Sequence, residues 1–155
     1  MGFQLAMAVA LLAAAEDPTK DAAKRELEKL QGTWVLVGGE DKGTVLSEED
    51  ARKEKWSLVI KGDKFTMIRK KNSGICTIRL DPSKKPAWMD FVFTEDGKEV
   101  NHAIYALEGD RLTICFSRKS NPNSPEERPA HFTTKRADNN NLRGLFMGIY
   151  KRQQK

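Results

Sequence analysis

The spacing of apolar residues along the chain changes once, close to Gly32. Before that point, Leu27 and Leu30 close a thin apolar stripe with helical spacing, and charged residues fill the positions between. Asp17 or Thr19 can cap such a helix at its start, and Gly32 is a natural stop. We therefore predict an N-terminal helix within residues 16–31, which must pack its apolar stripe on the rest of the chain.

After Gly32, apolar and polar residues alternate, as they do in strands with one buried face. Gly38-Gly39 is expected to end the first strand, and Ser47 with Asp50 predicts a short helix inserted before the second strand. We predict eight or nine short strands, drawn from residues 33–37, 56–60, 65–69, 75–80, 88–94, 101–107, 112–117, 130–136 and 145–150.

Many short strands with tight turns and no crossover helices predict an all-β barrel or sandwich. The connections are short enough for neighbouring strands to pair, which favours an antiparallel up-and-down barrel of about eight strands. A chain of 155 residues has the length of a single domain, which we place at residues 32–155.

The first residues form a separate apolar segment, from Phe3 to Ala15, that only Gln4 interrupts. Small residues precede Glu16, and we predict a cleaved signal peptide over residues 1–15. A retained anchor and a buried helix are the alternatives, because no Lys or Arg precedes the apolar run. The prediction implies export to the periplasm or the extracellular space, with no stable membrane anchor after cleavage.

The charge of the chain is weakly basic. Lys and Arg number 27 against 22 Asp and Glu, which gives a formal net charge of +5. The signs are interspersed, and the densest basic run is only Arg69-Lys70-Lys71. This distribution is typical of a solvated surface, and no nucleic-acid partner is predicted; a nucleic-acid or anionic-surface footprint is the lesser alternative.

The residues at the start of the first strand resemble a known signature. Gly32-Thr33-Trp34, following a short helix, is similar to the motif of lipocalins. In that family the Trp closes the base of the barrel and a basic residue from a late segment stacks on it. The resemblance implies the same role for Trp34, with Arg152 or Lys151 as the stacking cation.

Five motifs are spread over most of the chain after the apolar segment. They are LQGTW at Leu30–Trp34, an acidic helix at Ser47–Lys53, LDPSKKP at Leu80–Pro86, IYALEGDRLTICF at Ile104–Phe116 and RPAHF at Arg128–Phe132. Together they resemble a family of exported, lipocalin-like bacterial proteins of unknown function, found chiefly in planctomycetes. That resemblance implies the barrel fold and export, and it carries no activity.

Export would permit a disulfide between Cys76 and Cys115. By strand alternation, however, Cys76 lies on the apolar side of its strand, whereas Cys115 lies opposite the apolar side of its own. The two thiols therefore point to different sides of the sheet, and we expect them to be unpaired, with a disulfide as the alternative. His102 and His131 lack further ligands at suitable spacing, so no metal site is expected.

Catalytic motifs are equally weak. Ser73 and Ser117 do not lie in a nucleophile elbow, and the carboxylates at Asp81, Asp90 and Glu95 have no distinctive spacing. Glycine-rich phosphate-binding motifs are absent from the sequence. We predict no enzymatic activity and no cofactor, and keep an enzyme with a site on the barrel rim as the third alternative.

The aromatic residues suggest a binding function. A barrel of about eight strands is filled by side chains or holds one small ligand. Our leading hypothesis is a non-catalytic module that binds a small apolar or amphipathic molecule. Phe116 would line the cavity, one of Arg69, Arg79 and Arg111 would reach inward, and the inserted helix could cover one mouth. The predicted strands contain Trp34, Trp56, Phe65, Trp88, Phe91, Phe93, Phe116, Phe132, Phe146 and Tyr150.

The alternative is an interaction or structural module with a filled barrel. In that case a surface such as the Pro-rich loop 118–129 would bind a cell-envelope protein or polymer. An interior void of about 300 Å³, the low end of ligand pockets, would separate the two hypotheses.

Overall fold

The computed structural model describes residues 17–70, 72–117, 128–135 and 144–154. The predicted signal peptide and most of the 118–129 loop lie outside the described residues. The described elements are α1 Pro18–Leu30, β1 Gly32–Asp41, β2 Thr44–Leu46, α2 Glu48–Glu54, β3 Ser57–Lys61, β4 Lys64–Ile68, β5 Ser73–Asp81, β6 Ala87–Val92, β7 Val100–Glu108, β8 Arg111–Ser117 and β9 Leu145–Arg152.

Both helices begin at the predicted caps. The Asp17 carboxylate accepts the Thr19 N–H at 3.0 Å. The Ser47 hydroxyl accepts the Asp50 N–H at 3.1 Å and donates to the Asp50 carboxylate at 2.7 Å. The Ser47 hydroxyl therefore caps the first turn, as the sequence predicts. The Asp50 carboxylate accepts from that hydroxyl, whereas the acid of a capping box accepts from the backbone N–H of the cap residue.

The strands form one antiparallel sheet that closes on itself. From β3 to β9 each strand pairs with the next, and β1 pairs with β3 along one edge and with β9 along the other. β2 is a short extra strand beside the end of β1. The result is a closed eight-stranded barrel with an N-terminal helix and an inserted helix, which confirms the predicted lipocalin-like fold class.

The first strand is longer than predicted, because Gly38-Gly39 lies inside it. β1 pairs with β9 on both sides of an irregularity between Leu36 and Gly38, which marks a bulge. A Cβ atom on Gly39 would lie 2.2 Å from the carbonyl oxygen of Met147. The prediction that these glycines end the strand is wrong. The missing side chain of Gly39 lets β1 approach β9 closely, whereas a Cβ atom on Gly38 would face the Leu46 carbonyl oxygen of β2 at 3.5 Å.

Residues 128–135, here named the strap, cross the outside of the barrel and form no strand. The Thr134 N–H and hydroxyl both donate to the Glu40 carboxylate, which is 8% exposed, on the outer face of β1. The predicted strand at 130–136 is therefore wrong for its described part. Its backbone hydrogen-bonds to a buried side chain in place of a neighbouring strand.

The two ends of the barrel differ. At the end named the base, α1 packs so that Leu30 is fully buried and Leu27 lies against the core. At the end named the mouth, the hairpin turn between β4 and β5 projects. The inserted helix α2 packs on β1, with Ala51 buried in the core.

Candidate functional site

A cavity of about 340 Å³ opens at the mouth of the barrel. It lies among the ends of β4, β5, β6, β7 and β8, and α2 supplies none of the described residues that line it. The mouth cavity is lined by Phe65, Met67, Arg69, Asn72, Ser73, Gly74, Cys76, Phe91, Phe93, Asn101 and Phe116. Its volume lies just above the low end of the range for small-molecule sites.

Three of the phenylalanine rings that line the cavity, Phe65, Phe91 and Phe116, lie in a row. The row continues to Phe146 and Trp56, which are not among the lining residues. The ring centres of Phe65 and Phe91 are 4.9 Å apart, and those of Phe91 and Phe116 are 5.7 Å apart. Phe116 lies 5.7 Å from Phe146, which lies 5.4 Å from Trp56. The rings are tilted or edge-on to one another, the arrangement that aromatic pairs favour, so the floor is both apolar and packed into place.

Arg69 brings a positive charge to the rim of this apolar cavity. Its guanidinium carbon lies 4.3 Å from the centre of the Trp56 ring, and one guanidinium nitrogen lies 3.1 Å from the sulfur of Met67. These contacts orient the exposed side chain, and the guanidinium has more N–H donors than the Met67 contact uses. The sequence-predicted residues Arg69 and Phe116 thus meet at one site.

The other two arginine candidates lie elsewhere. Arg79 is exposed on the outer face of β5, beside Asp90 of the neighbouring strand. Arg111 is exposed at the first position of β8, paired in register with Lys151. The predicted inward reach is wrong for both, because alternation turns Arg79 outward and Arg111 lies at the turn at the base.

The two cysteines lie on opposite faces of the barrel wall, as alternation predicts, and both are free. Cys76 lines the mouth cavity, and burial raises the pKa of its thiol to about 11. Cys115 lies under the strap, where its sulfur is 3.9 Å from the carbonyl oxygen of Thr133 and burial raises its pKa to about 12. Neither thiol is poised to be a nucleophile at neutral pH.

The residues of the predicted signature meet at the base. The guanidinium of Arg152 lies over the ring of Trp34, which is fully buried, and donates to the carbonyl oxygens of Lys29 and Gln31. Gly32 has a φ of 120°, and a Cβ atom there would lie 3.5 Å from the Arg152 guanidinium. The structure confirms this closure and selects Arg152, since Lys151 is exposed.

A second cluster lies on the outer face of the barrel, and sequence reasoning missed it. Arg128 of the strap lies 4.2 Å over the ring of Trp88 and donates to the Asp90 carboxylate at 2.7 Å and to the Ala103 carbonyl at 2.6 Å. His102 Nδ1 is 2.9 Å from both Asp90 and Arg128. Because the guanidinium occupies the centre, the cluster fastens the strap to the barrel.

A metal site and a helix that could span a membrane are two further features that would point to function in the described part of the chain. Within it, no group of three or more His, Cys, Asp or Glu side chains is placed to hold a metal ion. Its two helices are also too short or too polar to cross a bilayer.

Comparisons with protein-family models, with curated proteins and with solved structures gave no match. We therefore infer the function from the geometry of the site itself.

Proposed function

We propose that the protein is a non-catalytic binding module that holds one small, largely apolar molecule in the mouth cavity. The observation that carries this proposal is a cavity of about 340 Å³ with phenylalanine rings in its lining and Arg69 at its rim. This combination of apolar walls and a few converging polar groups is typical of small-molecule sites.

The size and lining of the cavity support a compact ligand. The volume is near the lower limit for such sites, which favours a ligand of modest size over a long chain. The faces and edges of Phe65, Phe91 and Phe116 favour flat or branched apolar groups. The same cavity argues against the alternative of a completely filled barrel that works only through its outer surface.

The polar rim supports a ligand with an anionic group. Arg69 is the one cationic side chain among the described lining residues, and Asn72 and Asn101 add amide groups. A guanidinium that is already positioned by Trp56 can donate paired hydrogen bonds to a carboxylate or sulfonate with little further loss of side-chain freedom. The ligand would therefore be amphipathic.

The proposed setting is the periplasm or the extracellular space. The apolar segment at residues 1–15 and the resemblance to exported lipocalin-like proteins support it. The proposal includes no cofactor and no catalytic residue. The third hypothesis, an enzyme on the rim, would need ionisable groups that converge there. The converging groups Asp90, His102 and Arg128 instead join the strap to the outer face of the barrel.

The test uses 1-anilinonaphthalene-8-sulfonate, an anionic aromatic probe whose fluorescence rises in apolar sites. We expect saturable binding of one probe per chain. Arg69→Gln shortens the side chain only slightly and removes its charge, so it should weaken binding about ten-fold, the loss expected for a charged hydrogen bond. Arg79→Gln, on the outer face, is the matched control and should bind like the wild type.

A covalent readout locates the probe. Cys76 lines the cavity, so bound probe should slow its alkylation by N-ethylmaleimide during long incubation at about pH 8.5, where a small thiolate fraction of this buried thiol reacts. Cys115, buried under the strap, should react very slowly with and without the probe. Absence of saturable binding, or equal effects of Arg69→Gln and Arg79→Gln, would overturn the proposed site.

A further inference from the structure

The turn between β4 and β5 projects beside the mouth cavity. Residues 68–75, here named the hairpin tip, are exposed at every described position. The Arg69 N–H donates to the carbonyl oxygen of Asn72 at 2.9 Å, so one hydrogen bond joins the two sides of the turn.

Two large apolar side chains lie on the outer face of the hairpin tip. Ile75 is 66% exposed and Ile68 is 40% exposed. Ile68 pairs with Ser73 and Ile75 pairs with Thr66, which places the two isoleucines diagonally on the same face. Single exposed apolar residues are ordinary on protein surfaces, whereas neighbouring ones on a projecting turn form an interaction surface.

The charged side chains of this hairpin are all basic. The sequence from Lys64 to Leu80 contains no acidic residue, although the chain has 22 Asp and Glu. Arg69 and Lys70 are exposed between the two isoleucines. The hairpin tip therefore combines apolar side chains with cations and carries no compensating acid.

We propose that the hairpin tip docks on an anionic lipid surface. Ile68 and Ile75 would enter the headgroup region, while Lys70 meets the lipid phosphates. A lipid surface fits better than a protein partner, because one narrow turn offers far less than the roughly 800 Å² that each side of a stable protein interface buries. A membrane needs no complementary shape, only apolar depth and opposite charge.

The neighbouring hairpin at the mouth is more acidic than the hairpin tip. The turn between β6 and β7 exposes Glu95, Asp96 and Glu99. Lys98 lies 3.0 Å from Asp96, and a Cβ atom on Gly97 would lie 3.4 Å from the Arg79 guanidinium, so three acids face two cations there. Anionic lipid would therefore attract the hairpin tip more strongly than this turn. The barrel should therefore sit tilted, with the hairpin tip in the headgroups and the mouth cavity open beside the surface.

The experiment is co-sedimentation of the full chain with vesicles of phosphatidylcholine containing phosphatidylglycerol, compared with phosphatidylcholine alone. We expect binding only to the anionic vesicles, and its loss at about 0.5 M NaCl, where charge is screened. Lys70→Glu should weaken binding at least about five-fold, and Ile75→Glu at least about ten-fold.

The matched controls lie away from the hairpin tip. Val35→Glu changes an exposed apolar residue on the barrel wall, and Lys61→Glu changes an exposed lysine beside the turn at the base, where Gln31 hydrogen-bonds to Gly62. Both should bind like the wild type. Every variant keeps the same N-terminal apolar segment, so differences between variants report the hairpin tip.

Equal binding to both kinds of vesicle, or equal effects of Ile75→Glu and Val35→Glu, would overturn the proposal. The proposal would also be overturned if analytical ultracentrifugation without lipid showed a dimer that Ile75→Glu converts to a monomer, because the hairpin tip would then bind a second copy of the chain. Docking does not require an occupied cavity. Ile75→Glu should leave binding of the anionic probe unchanged, and Arg79→Gln should change neither probe binding nor vesicle binding. The two proposals can therefore be disproved independently.

Discussion

Arg152 and Trp34 are paired directly across the two strands that close the barrel, and the guanidinium carbon lies 4.1 Å from the centre of the indole ring. The indole N–H donates to the Leu30 carbonyl at 2.9 Å, and the Arg152 guanidinium reaches the Asp110 carboxylate at 2.9 Å. One pair of residues thus joins the end of α1, both closing strands and the turn before β8.

Arg152→Lys should lower the free energy of unfolding by about 2 kcal/mol, because a lysine cannot donate to Lys29, Gln31 and Asp110 together. Urea denaturation measures the change. Lys151→Ala, at the exposed neighbouring position, should stay within about 0.5 kcal/mol of the wild type. A change for Arg152→Lys no larger than that of the control would mean that the guanidinium does not close the base.

The stability of the folded protein should depend on pH through the protonation of Glu40. Burial alone would raise its pKa, but hydrogen bonds from Thr134 and Thr133, with the charge of Lys135, outweigh burial and lower the pKa below its ordinary value of 4.5. The folded state therefore binds the proton less well than the unfolded chain. The contribution of Glu40 is complete above about pH 4.5 and is lost as pH falls through the folded-state pKa.

Glu40→Gln should accordingly lower the free energy of unfolding by about 1–2 kcal/mol at pH 7, with the gap from the wild type closing towards pH 3. Denaturation at a series of pH values tests this. The exposed Glu54→Gln is the control and should show no such convergence. A gap for Glu40→Gln that stays constant with pH would contradict the assigned role.

Gly39→Ala should be strongly destabilising, by about 3 kcal/mol, because its Cβ atom would meet the Met147 carbonyl and force β1 away from β9. Thermal unfolding followed by circular dichroism measures it. Gly74→Ala is the matched control, since no atom lies within 4 Å of the added Cβ. Equal melting temperatures for the two variants would disprove the close approach of the strands.

Tyr105→Phe should leave stability unchanged or raise it by about 1 kcal/mol, the reverse of the usual effect of a core substitution. The Tyr105 hydroxyl is buried without a hydrogen-bond partner among the described residues, and burial raises its pKa. Thr134→Val provides the contrast, because that hydroxyl donates to Glu40 and accepts from Gly43. A marked loss of stability in Tyr105→Phe would indicate a partner for the hydroxyl.

The alternation of residues along single strands determined much of this molecule. It predicted which side chains of β8 point inward, that Cys76 and Cys115 lie on opposite faces, and that neighbouring strands pair into a barrel. The helix caps at Asp17 and Ser47 were also predictable. These features depend on residues close together in sequence, whose geometry a two-residue or helical period largely determines.

Features that depend on distant contacts were decided only by the tertiary structure. The strap lacks strand structure because Glu40 accepts hydrogen bonds from Thr134, far along the chain. Alternation tells which face a side chain occupies, but not its height along the barrel axis. Alternation alone therefore turns Arg79 outward, whereas only closure of the sheet could place Arg69 at the cavity and leave Arg111 at the base.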